Sequence, residues 1–435
     1  MIYIVTILLF ISITARVSFP QEPIEFLGLD NEKITSLSLY SGVIAVGTDR
    51  NGVFWQFESL LTNTSWIHIE LDSQSVQTVY AHKSGPLGWA ISAGVAPDKV
   101  DSVFIYCSFM GGDFIPNSVG IMDSLTDKVN ELDGFPDPTI CGETYAAGGK
   151  ALYRRGFTGS SWTPVYTASI EGYFQTVKVK EQYPGIVLAG GAEGFAGFLL
   201  IKSTDYGENW ADISPPGTVY SIDFAGESAE TIFTAVSEKI YKSADGGNSW
   251  QAVFDGEGLY HLTEVLYDPE TKRVFAAGGD RFDNGQAILL FSDDDGGNWQ
   301  LFSLEMNGPI IDLEFGNGWT YFVTPDDGIF RFQDLIVEVD EEIRPLLPTE
   351  FQLSQNYPNP FNASTVIGYS IPEATKVVLT VYNSLGQKIA NLLNQDQPSG
   401  NYVIRWDASS VNSGVYFYVL SASGRTLVRK TLVLK

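Results

Sequence analysis

One eight-residue pattern, met three times, constrains this 435-residue chain more than any other feature. It reads STDYGENW at 203–210, SADGGNSW at 243–250 and SDDDGGNW at 292–299. Ser203, Ser243 and Ser292 open it, and Asp205, Asp245 and Asp294 follow two residues later. Gly207, Gly247 and Gly296 come next, and Trp210, Trp250 and Trp299 close it. Each copy follows a run of β-formers, FLLIK, KIYK or AILLF, so each belongs to a turn between two strands. The glycine suits a backbone with positive φ. The aspartate suits a side chain that accepts backbone N–H bonds within its own turn. The tryptophan begins the next strand and covers the hairpin.

The same chain repeats on a longer scale. A strand ending in small residues precedes each motif: VLAGG, IFTAV and VFAAGG. Similar strands occur as IAVG, AISAG, YAAGG and YFVT. Aligned on Gly47, Gly94, Gly148, Gly190, Val236, Gly278 and Thr324, they are 47, 54, 42, 46, 42 and 46 residues apart. A further strand recurs ahead of each: ITSLSLY, VQTVYAH, FQTVKVK, VYSIDFA, LTEVLYD and IIDLEFG, with a degenerate copy near Val129–Gly134. One four-stranded unit per repeat gives an all-β fold, a seven-bladed β-propeller over 22–334. The seventh repeat stops at GIFRFQD without a fourth strand, and residues 24–30 alternate like an outer strand. They are expected to pair into the last blade and close the ring, because an open ring leaves sheet edges exposed.

The eight-residue motif resembles the Asp box of sialidase-, sortilin- and xyloglucanase-type propellers. That resemblance implies a structural role for Ser203, Asp205, Gly207 and Trp210 and for their counterparts in the other two copies.

Beyond 334 the pattern changes. Residues 335–350 carry charge and proline without a repeat and read as a linker. From 351 the balance turns basic, net +4 against −30 for the rest of the chain. YPNPFN, LGQ, GNYVIRWD and SGVYFY alternate over about seven short strands, an Ig-like β-sandwich covering 351–435. This order resembles the type A C-terminal sorting domain of type IX secretion. The resemblance implies the type IX machinery as partner, export across the outer membrane, and either release or attachment at the cell surface.

The N-terminal apolar run Ile2–Ile13 is too short to span a bilayer and reads as a secretory signal peptide, residues 1–20, removed between Ala15 and Gln21. The strongly acidic remainder excludes nucleic acid as a partner. Cys107 and Cys141 either pair or remain thiols. His68, His82 and His261 have no metal-ligand spacing, so neither a metal nor another cofactor is expected, and the chain is expected to be a monomer.

Two functions follow from the propeller. A sialidase-like glycoside hydrolase needs an arginine cluster to clamp a carboxylate. The repeats offer Arg50, Arg154, Arg155, Arg273, Arg281 and Arg331, none in the arginine context of that family. Xyloglucanase-type enzymes set their cleft between two propellers, and one is present here. The favoured reading is a non-catalytic propeller that binds a glycan or a protein at the cell surface. Candidate ligand residues lie in loops on the face opposite the Asp boxes: Asp49 and Arg50; Asp280, Arg281 and Asp283; Asp326 and Asp327.

Overall fold

The computed structural model describes residues 24–60, 66–71, 74–84, 88–96, 104–121, 128–134, 144–156, 161–169, 171–180, 182–183, 185–193, 197–281, 285–304, 306–333, 351–356, 359–397 and 400–435. The expected signal peptide, the linker, Cys141 and Asp283 lie outside them.

Alternating β-branched and small residues, broken by turns with positive φ, produce seven four-stranded antiparallel sheets among the described residues up to Phe332. Sheets 1 to 6 each use four strands in chain order. Their inner strands are Ile34–Tyr40, Ser75–Ser84, Glu131–Gly134, Gly172–Val179, Val219–Phe224 and Tyr260–Tyr267. Sheet 7 has Asp312–Gly316 innermost, then Trp319–Thr324 and Gly328–Phe332. Its fourth strand is Ile24–Gly28 from the other end of the chain, antiparallel to Gly328–Phe332. Each inner strand packs against the inner strand of the next sheet, and the seventh packs against the first, so the sheets form a closed, propeller-like ring.

Small residues set the spacing between sheets. The second strands VIAVGT, IFTAV and VFAAGG are buried along their length. A Cβ on Gly47 would stand 2.8 Å from Val76 Cγ1. On Gly94 it would meet Val129, and on Gly190 it would stand 2.5 Å from Val219 Cγ1. In each case the neighbour lies at or just before the start of the inner strand of the following sheet. Backbone bonds repeat the same joint: Val129 N donates to Val95 O at 3.2 Å, Phe174 N to Gly149 O at 2.9 Å and Ile310 N to Gly278 O at 3.0 Å.

The three Ser-x-Asp-x-Gly-x-x-Trp turns are alike in detail. Ser243 Oγ accepts from Gly247 N at 2.8 Å and donates to Asp245 Oδ1 at 2.8 Å. Asp245 in turn accepts from Ser249 N (2.8 Å) and Ser249 Oγ (2.6 Å). Those bonds, the Ser249 hydroxyl first, hold the Asp245 carboxyl down at about 2. The Ser203 and Ser292 turns keep the same scheme, with Asn209 and Asn298 in place of Ser249. Two successive residues take positive φ in each turn: Tyr206 and Gly207, Gly246 and Gly247, Asp295 and Gly296. The carbonyl of the first of each pair accepts from a cation of the preceding sheet. Arg154 reaches Tyr206 O, Lys202 reaches Gly246 O (2.8 Å), and Lys242 reaches Asp295 O (3.1 Å). The turns therefore join sheets as well as strands.

Residues 351–435 form two sheets. One contains Gln352–Leu353, Ser364–Ile371 and Gly400–Asp407, and the other contains Thr375–Asn383, Lys388–Gln397, Gly414–Ala422 and Arg425–Val433. Their shared core holds Ile367, Leu379, Trp406 and Tyr418. Asn356, Asn359 and Phe361 tie their stretch of chain to both sheets. Asn359 Oδ1 accepts from Leu432 N (2.9 Å), Phe361 stacks edge-on against Trp406, and Tyr418 Oη accepts from Asn356 N (2.8 Å).

Ring closure rests on more than strand pairing. Arg331 lies over the Trp319 ring, 3.9 Å from its centroid, and its guanidinium meets Glu25 of the closing strand at 2.7 Å. It also faces Glu58 of sheet 1 at 3.9 Å, and Trp66 Nε1 of sheet 1 donates to Leu27 O. Replacing Arg331 by Ala should cost about 2 kcal/mol, from the lost cation–π and charged hydrogen-bond contacts, and deleting residues 24–30 should give an aggregating protein. Melting curves with size-exclusion chromatography check both; unchanged melting and monomeric elution would contradict the closure. For the turns, Ser243→Ala strands the buried Gly247 N–H and should cost about 1–3 kcal/mol, measured by urea unfolding. Asp245→Ala should lower the melting temperature in the same direction.

Candidate functional site: the central channel

The inner strand of each sheet has an outer edge paired to a second strand and an inner edge with no strand beside it. Those inner edges surround a channel of about 420 Å³ on the ring axis. Its wall is set by a shared irregularity. In five sheets the inner strand skips one residue against its partner: Thr35, Gln77, Gln175, Tyr220 and Thr263. A bulge of this kind re-aims the residues that follow it. In these sheets the residue after the bulge and the one two further on face the channel, and in sheets 3 and 7, whose inner strands pair without a shift, Glu131 with Asp133 and Asp312 with Glu314 take the same places, so that two tiers form around it. The first tier includes Ser36, Glu131, Ser221, Glu264 and Asp312, and the second includes Ser38, Asp133, Lys178, Asp223 and Glu314.

These side chains pair the amides that strand pairing leaves open. In the first tier, Glu131 Oε2 accepts from Val177 N at 2.9 Å, Ser221 Oγ from Val265 N at 3.2 Å, and Asp312 Oδ2 from Leu37 N at 2.7 Å. In the second, Ser38 Oγ accepts from Ala81 N at 3.0 Å, Asp133 Oδ2 from Val179 N at 2.7 Å, and Asp223 Oδ2 from Tyr267 N at 2.7 Å. Every bond runs from one sheet to the next. They staple sheet 7 to 1, 1 to 2, 3 to 4 and 5 to 6.

The channel thus gathers six carboxyl groups around Lys178. Burial pushes Glu131 and Asp312 each up to about 7. Burial also raises Glu264 and Glu314 well above the usual carboxylate range, and the nearby Asp312 charge adds to both. Burial works against the Lys178 ammonium but is outweighed by Asp223, Asp133, Glu314 and Glu131, and its pKa stays raised. Its side chain keeps 32% of its surface, so the channel is wet rather than sealed. Among the described residues no group of three or more His, Cys, Asp or Glu is arranged to hold a metal ion.

The rim residues singled out from sequence lie on sheets 1, 6 and 7, which are consecutive in the ring. Asp49 and Arg50 follow the second strand of sheet 1, with Arg50 at φ 77° and its guanidinium 4.0 Å from Asp49. Asp280 ends a strand of sheet 6, and the next residue, Arg281, faces Glu238 of sheet 5 at 3.7 Å. Asp326 is exposed, whereas Asp327 is bound to Asn307, accepting from its amide N–H and from Nδ2 at 2.8 Å. The loop also touches sheet 1, where Ile34 N donates to Pro325 O at 2.9 Å. The register puts these loops at the opposite end of the sheets from the Ser-x-Asp turns, since Val187 pairs with Ser203 at the far end of its strand. The sialidase-type arginines are dispersed: Arg154, Arg273 and Arg331 are paired with Glu208, Asp293 and Glu25, and Arg155 lies over Trp162.

The channel acids were not singled out by sequence. A signal was present, since IIDLEFG carries Asp312 and Glu314 at alternate positions and the corresponding repeats LTEVLYD and VYSIDFA carry Glu264 and Asp223. Ring closure, however, is what brings those positions to one axis.

No curated protein matches the chain. Among solved structures, U3-55K aligns with TM-score 0.55 and 11% identity, over 72% of this chain and 98% of that one. YCF48 bound to D1 peptide aligns with TM-score 0.54 and 14% identity, over 74% and 100%. An ancestral GH74 enzyme aligns with TM-score 0.52 and 11% identity, over 70% of this chain and 48% of that one. PorZ, a surface component of the type IX secretion system of Porphyromonas gingivalis, aligns with TM-score 0.49 and 12% identity over 93% of this chain, which spans only 60% of PorZ. At these identities the likeness concerns the fold alone, an all-β, propeller-like ring. Among the described residues no helix is long and apolar enough to cross a membrane. Residues 355–434 match the family described as the secretion system C-terminal sorting domain, so this chain carries a type IX sorting tail, which implies export across the outer membrane to the cell surface or beyond.

Proposed function

We propose that residues 22–334 are a seven-bladed propeller of the Asp-box type and that it acts outside the cell as a non-catalytic binding module for a glycan or a protein. On this reading residues 1–20 direct the chain across the inner membrane and are removed. Residues 335–350 are a linker, and the Ig-like sandwich 351–435 is read by the type IX machinery. The observation that carries the proposal is the sorting-domain match on a chain whose described residues up to 333 form one ring of sheets. The use of the channel carboxyls supports a binding role over hydrolysis. Glu131, Asp133, Asp223 and Asp312 each accept a backbone amide of the next sheet, so they serve the ring rather than standing free as an acid and base pair. The ligand face we favour is the rim carrying Asp49, Arg50, Asp280, Arg281, Asp283, Asp326 and Asp327. The Asp-box residues on the opposite face are occupied by their own turns.

Two measurements on one set of proteins test this. In a host with type IX secretion, the chain cut after Glu350 should fold and stay in the periplasm, while the full chain reaches the surface, as read by fractionation and surface proteolysis. Surface display of the cut chain would refute sorting by 351–435. The full chain should bind on a glycan array or capture a surface protein, and Arg50→Ala with Asp326→Ala should weaken that binding with melting unchanged. Hydrolysis of a sialoside or a β-glucan by the purified full chain would refute the non-catalytic reading.

A further inference from the structure

The staples around the channel are unevenly spread, and the gap coincides with the densest like charge. Sheets 7 to 1, 1 to 2, 3 to 4 and 5 to 6 are joined by side chains that accept inner-edge amides. Between sheets 4 and 5 opposite charges meet instead, Lys178 Nζ lying 3.8 Å from Asp223. Between sheets 2 and 3, Tyr80 Oη donates to Gly134 O at 2.7 Å. Between sheets 6 and 7 neither device is seen among the described residues. Thr263 Oγ1 donates to Ile310 O at 2.9 Å, and Ile310 N donates to Gly278 O, both at the mouth of the seam. Deeper in, the channel-facing groups of these two strands are Glu264, Asp312 and Glu314. Glu264 turns back to Ser221 of sheet 5 rather than forward to sheet 7.

We propose that the seam between sheets 6 and 7 is a pH-operated joint of the ring, closed while Glu264, Asp312 and Glu314 hold protons and loosened when they ionise. Charge count in a confined space favours this joint. Sheet 3 presents Glu131 and Asp133 to these groups, sheet 5 presents Asp223, and sheet 4 presents two cations, Lys178 among the acids and Lys180, which is turned to Gly226 O and the Phe224 ring of sheet 5. Sheets 1 and 2 add Ser36, Ser38 and Tyr80, which carry no charge at neutral pH. Lys178 lies nearest Asp223 and also favours the charged forms of Glu314, Asp312 and Glu264, so one ammonium is shared among all the acids. Ionising all six carboxyls against Lys178 and Lys180 would leave four negative charges unbalanced in about 420 Å³. Sheets 6 and 7 share apolar packing farther out, Phe275 against Phe332 within it, so relief at this seam means loosening the inner edges, where no staple spans it.

The sign follows from linkage. The folded-state pKa of Asp312 is raised to about 7, and those of Glu264 and Glu314 are raised too. A folded state that binds protons more tightly than the unfolded chain is stabilised below the unfolded pKa, about 4 for these groups. That stability is lost as pH rises through the folded pKa. The Asp-box carboxyls work in the other direction, but only at far lower pH, with Asp245 near 2. Burial lowers His82 to about 4 and lowers His261, so they too work in the other direction, below about pH 6.5. Above about pH 6.5 the channel therefore dominates the slope.

The test uses the full chain. Its melting temperature should fall by about 5 °C or more between pH 6.5 and 8.5. Hydrogen exchange, corrected for the intrinsic pH dependence, should rise over that range in 260–267 and 312–316 but not in 187–193 of sheet 4. Glu264→Gln with Glu314→Gln should flatten both responses. Lys178→Met should steepen them, and Asp312→Asn serves if the double variant fails to fold. A pH-independent melting temperature, a slope left unchanged by Glu264→Gln with Glu314→Gln, or a slope flattened by Lys178→Met would overturn the proposal.

Discussion

An unpaired sheet edge facing inward is the constraint on which this structure depends. Seven sheets arranged as a ring must each present one edge to the axis, and that edge carries backbone N–H groups with no neighbouring strand. The solution here is a side-chain oxygen delivered from the preceding sheet, two tiers deep, at Ser38, Glu131, Asp133, Ser221, Asp223 and Asp312. Bulges near the start of five inner strands help aim the residues that follow them, Ser38, Ser221 and Asp223 among them, while Glu131, Asp133 and Asp312 reach the same tiers from strands that pair without a shift. The closing strand 24–28 solves the outer counterpart of the problem by occupying the free edge of Gly328–Phe332.

Aspartate serves two opposite electrostatic purposes in the same fold. In the Ser-x-Asp turns the carboxylate lies at the surface, accepts several donors and is held ionised, with Asp245 near 2. In the channel, Asp312 accepts an amide from Leu37, but burial outweighs that bond and its pKa climbs to about 7. Residue type alone did not decide the role; the number of donors set against burial did. This division leaves the outside of the ring insensitive to neutral pH and concentrates the response at the axis.

Much of the fold was legible in the sequence because it is written in local chemistry. Ser-x-Asp-x-Gly-x-x-Trp specifies a turn through residues within eight positions of one another, and small-residue strands such as IAVG and VFAAGG mark where sheets pack closely. The closing strand was legible from a missing fourth strand. The channel was not, since its bonds join residues 43 to 46 apart and one pair 275 apart, and depend on a bulge that breaks simple alternation. The lateral grip of Arg154, Lys202 and Lys242 on the next turn was hidden for the same reason. In the rim loops sequence indicated composition only. The structure ties Asp327 to Asn307 and faces Arg281 toward Glu238, while Arg50 and Asp326 stay open.

The central claim is that side chains of one sheet hold the inner-edge amides of the next. Residue-resolved hydrogen exchange at pH 5.5 tests it most directly, on the amides of Leu37, Ala81, Val177, Val179, Val265 and Tyr267. The account expects these amides, which have no strand partner, to exchange as slowly as the paired amides of the second strands, and Asp133→Ala to release Val179 selectively. Exchange at the rate of open loop amides in the unmodified protein would contradict it.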